Sequence, residues 1–411
     1  MNHTGLFIIF ILSLSISVLP KGIIEKYSVE DYYYSIYSKN KILKKSNVGK
    51  IYESEKQTWI DEETGYEITQ WTNNETKNWH LYFNIESFID NDNAIIFSER
   101  SGTKNLFKLN FLSGKMTQMT DEKDLDDDVC HLPRLKKLWY LSGQSIKLLN
   151  TETFQSEVVA ELDELIESFT VTCDGKYIVY SINKNPGFTE EHSTGPYAIF
   201  RFDIETKAVK QISPDYGFII GHLQANPVDP NIIMYCWQHR YREGSPGIVG
   251  NTPQRIWWLN INGEDGGPVG TQEFGIHRTH EFWFPDGKTI GYSARYVFGP
   301  NKGEQFLGCS VYDGLDSYKM SAPVRFAHSQ MYKDDQHWVA DYYDGMNLVL
   351  FTVEERKIVK QDLLFRHDSS WNGQPSHPHP HFSPDGKRVL FSTDKSGIPN
   401  VYSVNLEKQN E

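Results

Sequence analysis

One unit recurs seven times along this chain, and its period decides what the chain can fold into. The unit is a β-rich strand, a tight turn built on Asp or Gly, and a second β-rich strand. The clearest copies are Cys173-Asp-Gly-Lys-Tyr-Ile-Val-Tyr, Phe284-Pro-Asp-Gly-Lys-Thr-Ile-Gly-Tyr and Phe382-Ser-Pro-Asp-Gly-Lys-Arg-Val-Leu-Phe. Weaker copies begin at Phe88, Pro133, Pro227 and Tyr332. Anchored on Asp90, Arg134, Asp174, Asp229, Asp286, Asp334 and Asp385, the spacing runs from about 40 to 57 residues. In each clear turn an Asp-Gly pair leaves the glycine free to take a positive φ. Four-strand units at this period are the signature of a β-propeller. No long 3.6-residue periodicity competes with the strands. The expectation is an all-β, seven-bladed β-propeller in a single domain over residues 57–408, with Thr58–Thr72 closing the ring against the last blade.

The densest chemistry lies just before the last turn. Gln374, His377, His379 and His381 fall within eight residues. If the segment is extended, His377 and His379 project side by side, since residues i and i+2 share a face, and Pro378 and Pro380 favour an extended backbone before them. Imidazole nitrogens with a carboxamide oxygen suit a borderline divalent ion such as Mn, Fe, Ni or Zn. Register strengthens this reading. His379 sits six residues before Asp385, His280 six before Asp286, His328 six before Asp334, and His222 within one residue of that place. The strand before each turn lies nearest the propeller axis, so imidazoles from several blades converge on one mouth of the channel. Hydrogen-bonded residues lining a wet tunnel would share the same pattern.

The sequence Gln374-x-x-His377-Pro-His379-Pro-x-Phe-Ser-Pro-Asp-Gly, with Ser369-Ser370 before it and His280-Glu281-x-Trp283 in an earlier blade, resembles the oligogalacturonate lyases, a family of seven-bladed polysaccharide lyases. Thr58-Trp-Ile-Asp-x-x-Thr-Gly, Leu81-Tyr-Phe and Asn105-Leu-Phe-x-Leu-Asn add to it, and the resemblance covers roughly residues 57–405. It implies a divalent ion, most often manganese, on His280, Gln374, His377 and His379. It also implies β-elimination on short galacturonides, as in pectin degradation, giving 4,5-unsaturated products. The family's base is a histidine directly after a Cys on a fourth-blade strand; here Cys236 is followed by Trp237, Gln238, His239 and Arg240. His239 keeps the strand-face parity and is the first candidate base, with His222 next. Arg240, Arg255 and Arg295 are candidates to clamp uronate carboxylates, and Trp237, Trp283 and Trp371 to stack on sugar faces. The segment from His280 to Gln374, which includes Arg295, is longer than in the family and bears on the pocket mouth.

Residues Gly5–Pro20 are apolar and uncharged, too short to span a bilayer comfortably and suited to a secretory leader. Residues 1–22 are therefore expected to be a signal peptide, for a secreted or periplasmic protein with no membrane contact after its removal. Residues 23–56 are expected to form an N-terminal arm. Cys130, Cys173, Cys236 and Cys309 form no C-x-x-C pair, and their pairing stays open. A net charge of −13 argues against a nucleic-acid surface. An acidic oligosaccharide partner needs local arginines or a metal. Two other readings stand beside the lyase: a lyase on another uronate polymer, and a non-catalytic propeller that binds. A peptidase propeller is set aside because no G-x-S-x-G occurs. The oligomeric state is left open.

Overall fold

The computed structural model describes residues 46–162, 164–184, 196–217, 219–238, 254–297, 299–314 and 316–407. The strands sort into seven antiparallel sheets, one per repeat. The first strand of each blade after the first is Leu125–Leu132, Ile166–Val171, Ile219–Ala225, Ile276–Trp283, Phe326–Met331 and His381–Phe382. First strands of neighbouring blades touch each other, second to third, third to fourth, fifth to sixth and sixth to seventh, so they form the inner ring. Among the described residues no helix is long and apolar enough to cross a membrane.

The recurring Asp is a turn device. The Asp286 carboxylate accepts from the backbone N–H of Lys288 and of Thr289; Asp334 accepts from Gln336 and His337, and Asp385 from Lys387. Each carboxylate thus satisfies turn N–H groups that the strand ladder leaves free. Gly287 and Gly386 sit at φ 65° and 72°. In the second blade, which has no Asp-Gly, Lys136 takes the left-handed position at φ 57°.

The seventh blade is shared between the two ends of the chain. Glu67–Gln70 pairs with Asn400–Asn405 on one side and with Gln57–Ile60 on the other. The Trp71 indole N–H donates to the Ser403 hydroxyl at 2.9 Å, and the Thr72 hydroxyl to the Asn400 carboxamide at 2.8 Å. The ring closes through Thr58–Thr72, as the repeat predicts. The compact unit begins at Asn47 rather than at residue 57. Ile51–Tyr52, assigned by sequence to the arm, is an edge strand of the first blade, paired with Met116–Thr117. The expected leader and the rest of the arm lie outside the described residues. All four cysteines are free thiols, Cys236 and Cys309 buried.

Between the blades lie aromatic and aliphatic layers, for example Phe282, Phe284, Leu307, Met320, Trp338 and Phe351 between the fifth and sixth. The first blade departs from the pattern. Its inner edge is split into Asn78–His80 and Phe88–Asp90, both pairing with Asn93–Ser98. The intervening residues carry Tyr82 and Phe83 into the ring of inner strands. Phe83 is buried against His280, His328 and His379.

Candidate metal centre and channel

In a regular strand, alternation would fix which side chains face the axis. The inner strands break alternation where the histidines sit. His222, His280 and His379 have φ of 53°, 51° and 47°. The ladder slips between Gly221 and Gln224 in the fourth blade and between Thr279 and Phe282 in the fifth. A slip between Phe326 and Ser329 brackets His328 in the sixth. Such bulges re-aim a side chain, and left-handed backbone at a non-glycine residue carries a local cost that surrounding structure must sustain. The conformation of His379 differs from the extended backbone expected before Pro380. Its adjacency to His377 survives, with ring centroids 5.5 Å apart.

Four imidazoles converge. Ring centroids of His280 and His328 are 4.5 Å apart, those of His328 and His379 4.2 Å, and those of His328 and His377 5.5 Å. Ligand atoms of His328, His377 and His379 all lie within 4.8 Å of one another. Buried ring nitrogens of His280 (Nδ1), His377 (Nδ1) and His379 (Nε2) have no hydrogen-bond partner among the described residues. Orphaned lone pairs of this kind are costly in a low-dielectric site unless a ligand completes them. Burial first, and then neighbouring histidines, hold His280 and His379 well below the usual imidazole range. Neutral imidazole is the form that binds a metal.

The supporting shell is built the same way. The buried Asp341 carboxylate lies 2.8 Å from His328 Nδ1 and also accepts from the His328 backbone N–H at 2.7 Å. This commits Nδ1 and leaves Nε2 as the nitrogen available to a ligand, the carboxylate–histidine arrangement that orients metal-binding imidazoles. His80 holds the strained turn from behind: its Nε2 lies 2.6 Å from the His379 carbonyl and its Nδ1 2.7 Å from the Ser392 hydroxyl. Gln374 lies in a short 3-10 turn, Gln374–Ser376, exposed, and lines the channel cavity alongside His379. His328 is thus the metal-capable residue that the sequence motif omits. Its register was visible, whereas Asp341, on the adjoining strand, carries no motif.

A second constellation lies beside the first. His222 Nδ1 is 2.8 Å from Glu281 Oε1, and Arg255 donates to both Glu281 oxygens at 3.1 and 3.3 Å. Glu281 is fully buried. Burial pushes its carboxyl up, but Arg255 and His222 outweigh that and hold it well below the usual carboxylate range. Cys236 completes this group, its thiol donating to the Gly221 carbonyl at 3.3 Å. His222 is half-buried and lines a cavity of about 1030 Å³. The cavity runs down the inner strands from His379 to the turn residues Pro384 and Arg134; His328 and His377 are not among its walls.

The place that the family motif gives to the base is filled by packing. Trp237 stacks on Trp257 with centroids 4.3 Å apart and leans on Tyr216. Arg255 is engaged by Glu281, while Trp283 donates to the Gln224 carbonyl at 3.3 Å. His239 and Arg240 lie outside the described residues.

Comparison with known proteins identifies the family and the fold. The sequence model of a family described as oligogalacturonate lyase matches residues 183–409. An oligogalacturonide lyase of Pectobacterium atrosepticum is 24% identical over 378 residues, 84% of this chain and 94% of that protein. A solved oligogalacturonate lyase from Vibrio parahaemolyticus superposes with a TM-score of 0.77 at 20% identity, covering 88% of this chain and 99% of that one. A solved oligogalacturonate lyase in complex with manganese gives 0.78 at 22%, covering 88% and 98%. At these identities the structural likeness shows the fold.

Proposed function

The chain belongs to the oligogalacturonate lyase family, and from that premise we propose the following division of labour for a metal-dependent lyase that cleaves acidic oligosaccharides by β-elimination. The converged imidazoles hold one divalent cation, manganese being the ion named with a structural relative. Its holders are His328, His377 and His379, with His280 and Gln374 as the flanking positions. The observation that carries this is the cluster of His328, His377 and His379, whose ligand atoms lie within 4.8 Å of one another, with a buried ring nitrogen on His377 and on His379 that no described residue partners. When bound, the cation neutralises the charge that gathers on a uronate carboxylate as the adjacent C5 proton leaves.

The chain's own residues supply the rest. A base must take the C5 proton while the C4–O bond breaks and the leaving sugar keeps the bonding electrons. His222 is the described residue best placed for this: it lines the cavity, and its Nδ1 lies 2.8 Å from the Glu281 carboxylate, so that Nε2 is the nitrogen offered to the substrate proton. Arg255 keeps that carboxylate ionised. His239 remains the competing assignment from sequence, with Arg240 beside it as a carboxylate clamp. Loss of turnover in His222→Ala with metal content unchanged supports His222; near-normal turnover there, with loss in His239→Ala, assigns the base to His239. Metal analysis of His328→Ala and His377→Ala tests the centre, and unchanged content in both removes it. We place the action outside the cytoplasm, on the uncharged apolar run Gly5–Pro20; amino-terminal sequencing of exported protein checks this.

A further inference from the structure

The elimination needs a second proton transfer. As the C4–O bond breaks, the departing oxygen becomes an alkoxide of the neighbouring sugar, a poor leaving group unless a proton reaches it. The arginines that the sequence offers do not supply it: Arg255 is bound to Glu281, and Arg295 is not among the walls of the cavity. The clustered imidazoles of His328, His377 and His379 present lone pairs to a cation rather than protons to a substrate.

Tyr82 stands between the two constellations. Its ring meets those of His379, His328 and His222 edge to face, with centroids 4.7, 5.9 and 6.3 Å away. It is half-buried and lines the cavity together with His222, His379 and Gln374. The split inner edge of the first blade puts it there. The Ile85 N–H donates to the Tyr82 carbonyl at 2.8 Å, closing a turn. The adjoining Phe83 is buried, its ring 4.7 Å from Tyr82 and 6.2 Å from Phe282. A phenol held in this way is in place before a substrate arrives. Buried tyrosine hydroxyls ordinarily find a partner in the chain: Tyr140 bonds Glu122 at 2.8 Å, and Tyr235 bonds Tyr216 at 3.0 Å. No described residue hydrogen-bonds the Tyr82 hydroxyl, which leaves its O–H to a ligand in the cavity.

We propose that Tyr82 is the general acid of the elimination, a catalytic residue whose phenolic proton passes to the departing glycosidic oxygen. The base takes the C5 proton and the C5–H electrons form the 4,5 double bond. The C4–O electrons go to the oxygen, which receives the Tyr82 proton. The tyrosinate then recovers a proton from the conjugate acid of the base, whose ring at His222 is 6.3 Å from its own. One proton has moved from C5 to oxygen, and no co-reactant is consumed. This rests on the lyase reading, because without elimination there is no such step.

The test uses the manganese-loaded full-length protein and trigalacturonate, with Tyr82→Phe, which removes the oxygen and keeps the ring against His379. Circular dichroism and metal content are first matched to the wild type. Turnover is read by absorbance of the unsaturated product, and deuterium entry at C5 of the recovered trimer by mass in heavy water. In Tyr82→Phe kcat should fall about 100-fold or more with KM within about threefold. Deuterium should still enter at C5, because the base works and only C–O cleavage stalls. A kcat within about threefold of the wild type overturns the assignment. Loss of deuterium entry together with turnover also overturns it, since Tyr82 then serves the first proton or the fit of the substrate. If the phenylalanine variant does not hold manganese, 3-fluorotyrosine in place of Tyr82 keeps the ring and the hydroxyl and alters the acidity; a changed kcat upholds the assignment and an unchanged one overturns it. A wild type that forms no unsaturated product removes the lyase reading and this step with it. An active wild type beside an unimpaired Tyr82→Phe removes this step alone.

Discussion

At the scale of single residues, the centre depends on which protons the histidines do not carry. Asp341→Asn keeps the volume but removes the charge that orients His328. Manganese affinity should fall about 10- to 100-fold, the range for loss of an outer-shell partner, as read by competition titration; an unchanged affinity would remove His328 from the ligand set. Glu281→Ala strands the buried Arg255 charge, and urea unfolding should show a loss of about 3–5 kcal/mol. The imidazoles also set an acid limit. Burial above all lowers His80 to about 3 and His367 to about 4. The unfolded chain takes up these protons below about 6.5, whereas the folded chain does not until far lower, so stability is present above that pH and falls with acidification. By pH 5 each residue contributes a loss of about 2 kcal/mol. Asp128 and Asp341, raised by burial to about 7 and about 6, act in the opposite direction, but the lowered imidazoles outnumber them. The metal-free protein should therefore lose melting temperature steadily from pH 6.5 to 5, and a flat profile would contradict the buried neutral ring.

At the scale of the strand, the site exists because inner strands are bent where histidines occur. His280→Val and His280→Gly both delete the ring, but only valine must hold a branched side chain at φ 51°. In metal-free protein His280→Val should be less stable than His280→Gly by about 1–2 kcal/mol; equal melting temperatures would show that the strand straightens freely. The same bends explain what the sequence conceals. A histidine six residues before the turn Asp is legible, because that Asp must sit where its carboxylate reaches the turn N–H groups. A left-handed histidine is not, since nothing in the residue announces the conformation as glycine would. The extended backbone expected at His379 failed for that reason: the tertiary hold of His80 on its carbonyl overrides the preference imposed by Pro380. The packing of Trp237 away from the channel was equally hidden, because its partners Trp257, on the next strand, and Tyr216, in the segment before the blade, are distant in sequence.

At the scale of the whole molecule, the repeat made the ring and its closure readable, and it made four of the five imidazoles around the channel readable by register. Asp341 was not singled out, and Glu281 was read only as part of a motif without a role, because each acts through a partner brought near only by folding. Closure has a cost if undone. Glu67–Gln70 is an interior strand of the seventh blade, so Ile68→Pro removes ladder bonds and should destabilise by about 3 kcal/mol or more, visible as a lowered urea midpoint; an unchanged midpoint would show that the ring does not need this strand. The ring matters because it holds imidazoles from the fifth, sixth and seventh blades in one place, and that convergence is what allows a cation to meet a uronate carboxylate. The most direct test incubates the manganese-loaded protein with trigalacturonate and follows the absorbance of a conjugated uronate double bond, with masses taken on the same products. The account predicts rising absorbance and fragments that sum to the mass of the substrate without added water. Fragments that carry one added water and no double-bond absorbance would mean hydrolysis and would contradict it.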